Sequence, residues 1–256
     1  MNTRSATTNH SQFLKKELLY SVHQPVKLRV YGRKISMSIL REFYGQFVTR
    51  SYKKGEIILM QDIEPNSAYA VKVGSVRVYG LEPDGTVNSI SFLVSGELFP
   101  VGWIFGKTEK TLFYYEAHTD VTVYVMDKER LTSAIGEIPE LSKIFLEQEV
   151  NQYVGTSLQV KALGQPRAYA KIIGILHYLC LRYGTETAEN TVRIEIPFTQ
   201  DELASLIGIT RETTTNELLS LKADKVVAVR NKFYTVNTTK LNSLLDVEYN
   251  PGIDIK

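Results

Sequence analysis

The stretch Phe198-Thr-Gln-Asp-Glu-Leu-Ala-Ser-Leu-Ile-Gly-Ile-Thr-Arg-Glu-Thr-Thr-Thr-Asn-Glu-Leu-Leu-Ser-Leu-Lys222 decides the fold, because every local signal in it agrees. Thr199 followed three residues later by Glu202 is a capping box, and Leu203, Leu206 and Ile207 share one side of the short helix it starts. Gly208 breaks that helix. Ile209 fills the corner, Thr210 caps a second helix, and Thr214, Leu218 and Leu221 return to the inner face. Two short helices joined through a glycine turn predict a helix-turn-helix, whose second helix enters the major groove of DNA with its leading residues against base edges.

Successive residues of that helix rotate by about 100°, so Glu212, Thr215, Asn216 and Leu219 point away from the inner face, with Arg211 on the exposed first turn. Arg211 has the fork geometry for guanine, Glu212 can accept from the cytosine amino group and Asn216 suits adenine; with Thr215 these are the candidate base readers. Thr199, Thr210, Thr213 and Lys222 are candidates for phosphate contacts, which position without specifying. The competing reading is a helical hairpin with a solvated charged face. Downstream, Val226–Arg230, Asn231-Lys232 and Phe233–Val236 read as a β-hairpin wing whose tip residues Arg230 and Lys232 can reach the phosphate backbone.

Upstream, Ala168 to about Tyr183 is an amphipathic helix closed by Gly184, with Ile172, Ile173, Leu176, Leu179 and Cys180 inward. His177 and Cys180 lie three apart on it, too few ligands for a metal site and ordinary for a core. From Pro139 to about residue 163 the sequence predicts one long helix, roughly 37 Å at about 1.5 Å per residue. Its apolar stripe of Leu141, Ile144, Phe145, Val150, Val154 and Leu158, with Gln148, Asn151 and Gly155 near the same seam, suits a parallel dimer in which the polar positions fix register; the alternative is that the stripe covers the chain's own β domain.

Between Phe47 and about Leu131 short β-branched and aromatic runs alternate with glycine turns, the pattern of a compact antiparallel β domain. Residues 56–60, 69–73, 75–79, 87–92 and 121–125 are the clearest strands, and Asp84-Gly85 is a favoured hairpin pair.

At 256 residues, 43% hydrophobic and 23% charged, the chain is expected to fold as two modest soluble domains. Its single cysteine, Cys180, excludes an intrachain disulfide and a cysteine-ligated iron–sulfur cluster, and fits a reducing, cytoplasmic setting. Neither an export signal nor a membrane-spanning run is apparent, so no membrane partner is expected. The net charge of +2 is uninformative, but Lys15, Lys16, Lys27, Arg29, Arg33, Lys34, Arg41, Arg50, Lys53 and Lys54 crowd the first fifth, either as a solvated face or as a supplementary contact with DNA or an acidic partner. A cupin-like metal enzyme is the rival reading for the β domain. His10, His23, His118 and His177 are too scattered for a facial metal triad, and no catalytic set or metal site is proposed. A second rival is a ligand-sensing module acting on a protein partner; the helix-turn-helix and wing argue against it.

The whole order resembles the cAMP receptor protein/FNR (CRP/FNR) family of bacterial transcription regulators over roughly residues 45–240. The similar pieces are Lys54-Gly55-Glu56-Ile57-Ile58, Gly74-Ser75-Val76-Arg77-Val78 and Gly96-Glu97-Leu98-Phe99-Pro100, then Thr199–Ala204 and Arg211–Thr215. The resemblance implies an α+β chain: a basic N-terminal extension (1–40), an antiparallel β-roll sensor of cyclic-nucleotide-binding type (41–136), a dimerisation helix (137–164), a winged helix-turn-helix (165–241) and a tail (242–256). It also implies a homodimer on a pseudo-palindromic duplex operator, RNA polymerase as a further partner, and Arg211 and Glu212 on the family's base-reading pair. Asn216 stands where many members have a second arginine. In the sensor, Glu97 matches the family's ribose-binding glutamate, though it can equally be a turn residue. The family's phosphate-holding Arg-Ser/Thr pair has no counterpart in Lys110–Ala117, so cAMP affinity should be poor and the effector is unknown. Gly96, Glu97, Phe99, Trp103, Tyr114 and Tyr115 are the candidates for an effector pocket, or else for core. Of the family's other sensing groups, haem would have only His118 nearby as an axial ligand.

Overall fold

A computed structural model describes residues 33–249 apart from 84 and 86. The basic residues Lys15, Lys16, Lys27 and Arg29, most of the 1–40 extension, Asp84 of the hairpin pair and residues 250–256 lie outside the described residues.

Helix α1 (Arg33–Tyr44) precedes eight strands: β1 (Val48–Tyr52), β2 (Ile57–Leu59), β3 (Ala68–Val73), β4 (Val76–Leu81), β5 (Val87–Leu93), β6 (Leu98–Phe99), β7 (Tyr114–Ala117) and β8 (Val121–Met126). They form two antiparallel four-stranded sheets, in the orders β1-β8-β3-β6 and β2-β7-β4-β5. Inward residues alternate along the strands, as the two-residue repeat requires. Val71, Val76, Val78, Phe99, Tyr115 and Val123 meet between the sheets in a buried core. The short α2 (Val101–Ile104) follows β6, and α3 (Lys128–Glu137), capped by the Asp127 side chain on the Arg130 N–H, leads out of the roll.

Helix α4 (Pro139–Leu163) covers the span expected from sequence, with Pro139 in the first turn where its missing N–H costs nothing. Its inner face belongs to the chain itself. Leu141, Ile144 and Phe145 are buried with Leu40, Tyr44, Trp103 and Leu131, and Leu158 packs on the C-terminal core. Gly155 lies against α5 (Ala168–Tyr183), where a Cβ would come within 3.1 Å of the Tyr178 ring. The expected seam is therefore corrected in part: Leu141, Ile144, Phe145, Gly155 and Leu158 face inward and Gln148 donates to the Gly96 carbonyl at 3.1 Å, whereas Val150, Asn151 and Val154 are exposed. The exposed stripe is Leu146, Val150, Tyr153, Ser157 and Val160, spaced alternately by four and three residues.

The C-terminal part is α5, β9 (Gly184–Ala188), β10 (Thr191–Ile194), α6 (Gln200–Ile207), α7 (Arg211–Ala223), β11 (Val227–Arg230), β12 (Phe233–Asn237) and α8 (Thr238–Tyr249). Its sheet runs β11-β12-β10-β9, all antiparallel. The sequence reading found the wing but missed β9 and β10, whose Thr-rich, charged residues lack clear alternation. Two boundaries also move, since residue 41 falls inside α1 and residue 241 inside α8.

Candidate DNA-reading face and sensor cavity

The helix-turn-helix is built by reciprocal local bonds. Thr199 Oγ1 accepts from the Glu202 N–H at 3.1 Å while the Glu202 carboxylate accepts from the Thr199 N–H at 2.7 Å. Gly208 closes α6 at φ 62°, ψ 40°, a left-handed conformation in which a side chain would be strained. Thr210 Oγ1 then accepts from the Thr213 N–H at 3.2 Å and starts α7. Leu203, Leu206, Ile207, Thr214, Leu218 and Leu221 are buried and fix how α7 lies against α6.

On the opposite face Arg211, Glu212, Asn216 and Leu219 are exposed. Arg211 stands 3.6 Å from the Asp201 carboxylate, and both side chains are about two-thirds exposed, at 68% and 63%. Such a pair is weak and open to exchange for another acceptor. Thr215 is turned back, its single hydroxyl proton shared between Gln200 Oε1 at 2.7 Å and the Arg211 carbonyl at 2.9 Å. Thr210 is exposed, while Thr199, Thr213 and Lys222 are partly so. At the wing tip Asn231 and Lys232 have φ of 52° and 68°, making a two-residue hairpin turn that leaves Arg230 and Lys232 in solvent. The Lys232 carbonyl accepts from the Phe198 N–H at 2.8 Å, tying the wing to the start of the helix-turn-helix.

The sensor contains a cavity of about 250 Å³, small beside the roughly 300–1,000 Å³ of ordinary ligand pockets. Glu97, Phe99, Trp103 and Tyr115 line it, as the sequence suggested. Gly96 and Tyr114 are not among its walls. Gly96 makes the turn before Glu97, and Tyr114, next to Tyr115 on β7, points to the other face and stacks on Tyr79 at 5.2 Å. Sequence reasoning missed the α4 residues Gln148, Glu149, Gln152 and Thr156 as walls of this cavity. A helix that packs over a sheet from 52 residues away, as Gln148 does on Gly96, leaves no local signal of where it lands.

Glu97 is held from several sides. Its Oε2 accepts from the Val94 N–H at 3.0 Å, and its Oε1 accepts from Arg182 Nη2 at 2.6 Å. The Arg182 and Glu97 side chains are 8% and 13% exposed, so this pair is buried. Burial alone works against the Arg182 charge, but Glu97 and the neighbouring tyrosines outweigh it and raise its pKa. Arg182 Nε also donates to Gln152 Oε1 at 2.9 Å. Burial, reinforced by the Glu97 charge, raises the pKa of Glu149 as well, with Arg182 pulling the other way.

Arg182 sits at the end of α5, so the ion pair joins the sensor to the DNA-reading part. Further bonds do the same. Tyr183 Oη donates to the Phe92 carbonyl at 2.9 Å and accepts from its N–H at 3.2 Å, and the Phe92 ring is buried among C-terminal core residues, edge-on to Phe198. His118, 3% exposed, shares one proton with Ser75 Oγ at 3.1 Å and another with Glu202 Oε1 at 3.0 Å. Both ring nitrogens are therefore engaged, which takes His118 away from the haem-ligand role weighed above. Among the described residues no group of three or more His, Cys, Asp or Glu side chains is placed to hold a metal ion, and no helix is long and apolar enough to cross a membrane.

A β-roll with a cavity in it, a long helix and a winged helix-turn-helix with its second helix bared define a two-domain DNA-binding regulator. Residues 49–137 match the cyclic nucleotide-binding domain family, and residues 170–244 match the Crp-like helix-turn-helix domain. The chain belongs to the CRP/FNR family of transcription regulators. It is 26% identical over 187 residues to the nitrogen fixation regulation protein FixK of Rhizobium meliloti, covering 73% of this chain and 81% of the relative. It is 22% identical over 186 residues to the global nitrogen regulator of Synechococcus elongatus, covering 72% and 83%. The solved structure of FixK2 from Bradyrhizobium japonicum shares the fold, with a TM-score of 0.64 at 20% identity over 77% of this chain and 96% of that one.

Proposed function

We propose that this regulator acts in the cytoplasm as a homodimer on a pseudo-palindromic duplex, with a small molecule in the β-roll cavity as its signal. The half-sites would lie one helical turn apart, about 34 Å. Arg211, Glu212 and Asn216 read base edges, and Thr215 joins them by giving up Gln200. Thr199, Thr210, Thr213, Lys222, Arg230 and Lys232 hold the phosphates. Pairing of two copies through Leu146, Val150, Tyr153 and Val160 would cover the exposed stripe of α4.

The observation that carries this reading is the bared leading face of α7, where Arg211 is engaged by nothing stronger than an exposed carboxylate at 3.6 Å. Duplexes retained by the purified protein from a random pool should share a palindromic motif. On that motif Arg211→Ala should cost about 1–3 kcal/mol and relax selectivity at one base pair. An equal loss on motif and random duplexes would remove Arg211 from base reading.

A further inference from the structure

The walls of the sensor cavity say what sort of molecule it accepts. Among the described residues no arginine, lysine or histidine lines it, whereas Glu97 and Glu149 both do. Arg182 and Lys128 reach Glu97 and the Trp103 ring, but neither belongs to the lining. Arg182 neutralises Glu97 and pulls on Glu149 only from outside the lining, so the Glu149 carboxylate, on the exposed rim, meets no positive charge among the described lining residues. An anion entering here would lose its hydration and meet a carboxylate in return.

The rest of the lining is aromatic and amide-bearing. Trp103, Phe113 and Tyr115 border the cavity with rings whose faces carry negative charge density and attract cations, the Phe99 ring being stacked on Tyr69 and Tyr115 and the Trp103 ring already meeting the Lys128 ammonium, while Gln148 and Gln152 offer carbonyl acceptors. The polar corner already accommodates one buried cation, since the Arg182 guanidinium is bound there by Glu97 and Gln152 together. The volume of about 250 Å³ favours a compact body.

We propose that the cavity takes a small organic cation, an amine with an aromatic or alkyl body, its ammonium turned to Glu149 and Glu97 and its apolar part against the rings. This rests on reading the cavity as the effector pocket. Because Glu97 is also the partner of Arg182, an ammonium drawn to Glu97 competes with the joint that holds α5 to the sensor. The site thus couples a ligand's charge to the position of the DNA-reading part.

Trp103 is the only tryptophan in the chain and lines the cavity, so its emission reports occupancy there. The full chain is titrated at neutral pH with phenethylamine, with 3-phenylpropionate, which has the opposite charge on a similar skeleton, and with cAMP. Phenethylamine should saturate the emission change at a concentration at least tenfold below the other two, and Glu149→Gln should shrink that advantage severalfold. If 3-phenylpropionate or cAMP saturates at an equal or lower concentration, the charge preference is wrong while the effector pocket survives. If no probe moves the emission, or if filling the cavity by Thr156→Leu leaves the response to phenethylamine intact, the pocket reading itself fails.

Discussion

The winged domain presents two faces that differ in kind. Its outward face, the leading turn of α7 and the wing tip, holds exposed side chains whose partners lie within the helix-turn-helix itself, 3 to 15 positions away, as with Thr210 and Thr213, Arg211 and Asp201 or Thr215 and Gln200. Its sensor-facing side is held by buried and part-buried bonds to residues about 85 to 115 positions distant: Arg182 to Glu97, Tyr183 to Phe92, Glu202 to His118, Ser205 to Ser89. A face left free can be spent on a partner molecule, whereas a face knitted by buried polar pairs costs free energy to open. The contrast teaches that the domain's orientation is set by a few specific bonds, each of which can be cut separately.

The sharpest cut is at the buried ion pair. Arg182→Met leaves the Glu97 carboxylate buried with one remaining donor, the Val94 N–H, and should cost about 3–5 kcal/mol in urea unfolding at pH 7. Replacing both partners, Glu97→Met with Arg182→Met, should recover most of that loss, because no uncompensated charge is left. If the single variant costs less than about 1 kcal/mol, the joint is held by apolar packing and the two faces differ less than their bonds suggest.

The next cut is made with acid. Burial by itself raises the pKa of Glu202, but the hydrogen bonds from His118, the Thr199 N–H and the Thr199 hydroxyl overcome it and hold the group at about 2, against an ordinary 4.5. A depressed carboxylate contributes stability that is whole above about pH 4.5 and is lost as the pH falls through about 2. The difference corresponds to roughly 3 kcal/mol at most. His177 works in a separate window: burial, then Lys161, lowers it from 6.5 to about 4, so it stays neutral in the fold and its share is lost as the pH falls from about 6.5 through 4. Urea midpoints taken from pH 7 to 2 should therefore fall in two limbs. His177→Gln should flatten the upper limb and Glu202→Gln the lower. A lower limb that persists in Glu202→Gln would place the acid-labile bond elsewhere.

The two faces also differ in how far they could be read from sequence. The reading face was legible because its determinants are neighbours in the chain: Thr199 and Glu202, Gly208, Thr210 and the Leu203–Leu221 spacing each state their own geometry. The sensor strands were legible in part, five of eight, since β2, β3, β4, β5 and β8 are apolar or alternating, whereas β1 reads Val-Thr-Arg-Ser-Tyr and β6 is two residues long. The stripe on α4 misled because an amphipathic helix with two apolar faces does not say which face meets its own core. Glu97 was singled out only by family resemblance, and nothing near Arg182 in the chain announces that it completes that site. Capping is written in the local alphabet; pairing across a tertiary joint is decided by where the α4–α5 hairpin packs.

The smallest effect tests the joint at its edge. Ser205 Oγ donates to the Val87 carbonyl at 2.9 Å and accepts from the Ser89 N–H at 3.1 Å, so one hydroxyl bridges α6 and β5. Ser205 is only partly buried, and water can replace what the hydroxyl supplied, which limits the cost of Ser205→Ala to about 0.5–1.5 kcal/mol. A global unfolding curve resolves such a change poorly, but the Ser89 amide reports it directly, because its bond partner is the atom removed. Hydrogen exchange at Ser89 should speed up in Ser205→Ala, while the Thr213 amide, bonded to Thr210 on the other face, should keep its rate. Unchanged exchange at Ser89 would mean that β5 does not depend on α6. Equal acceleration at both amides would mean that the two faces loosen as one unit, and the distinction between them would be lost.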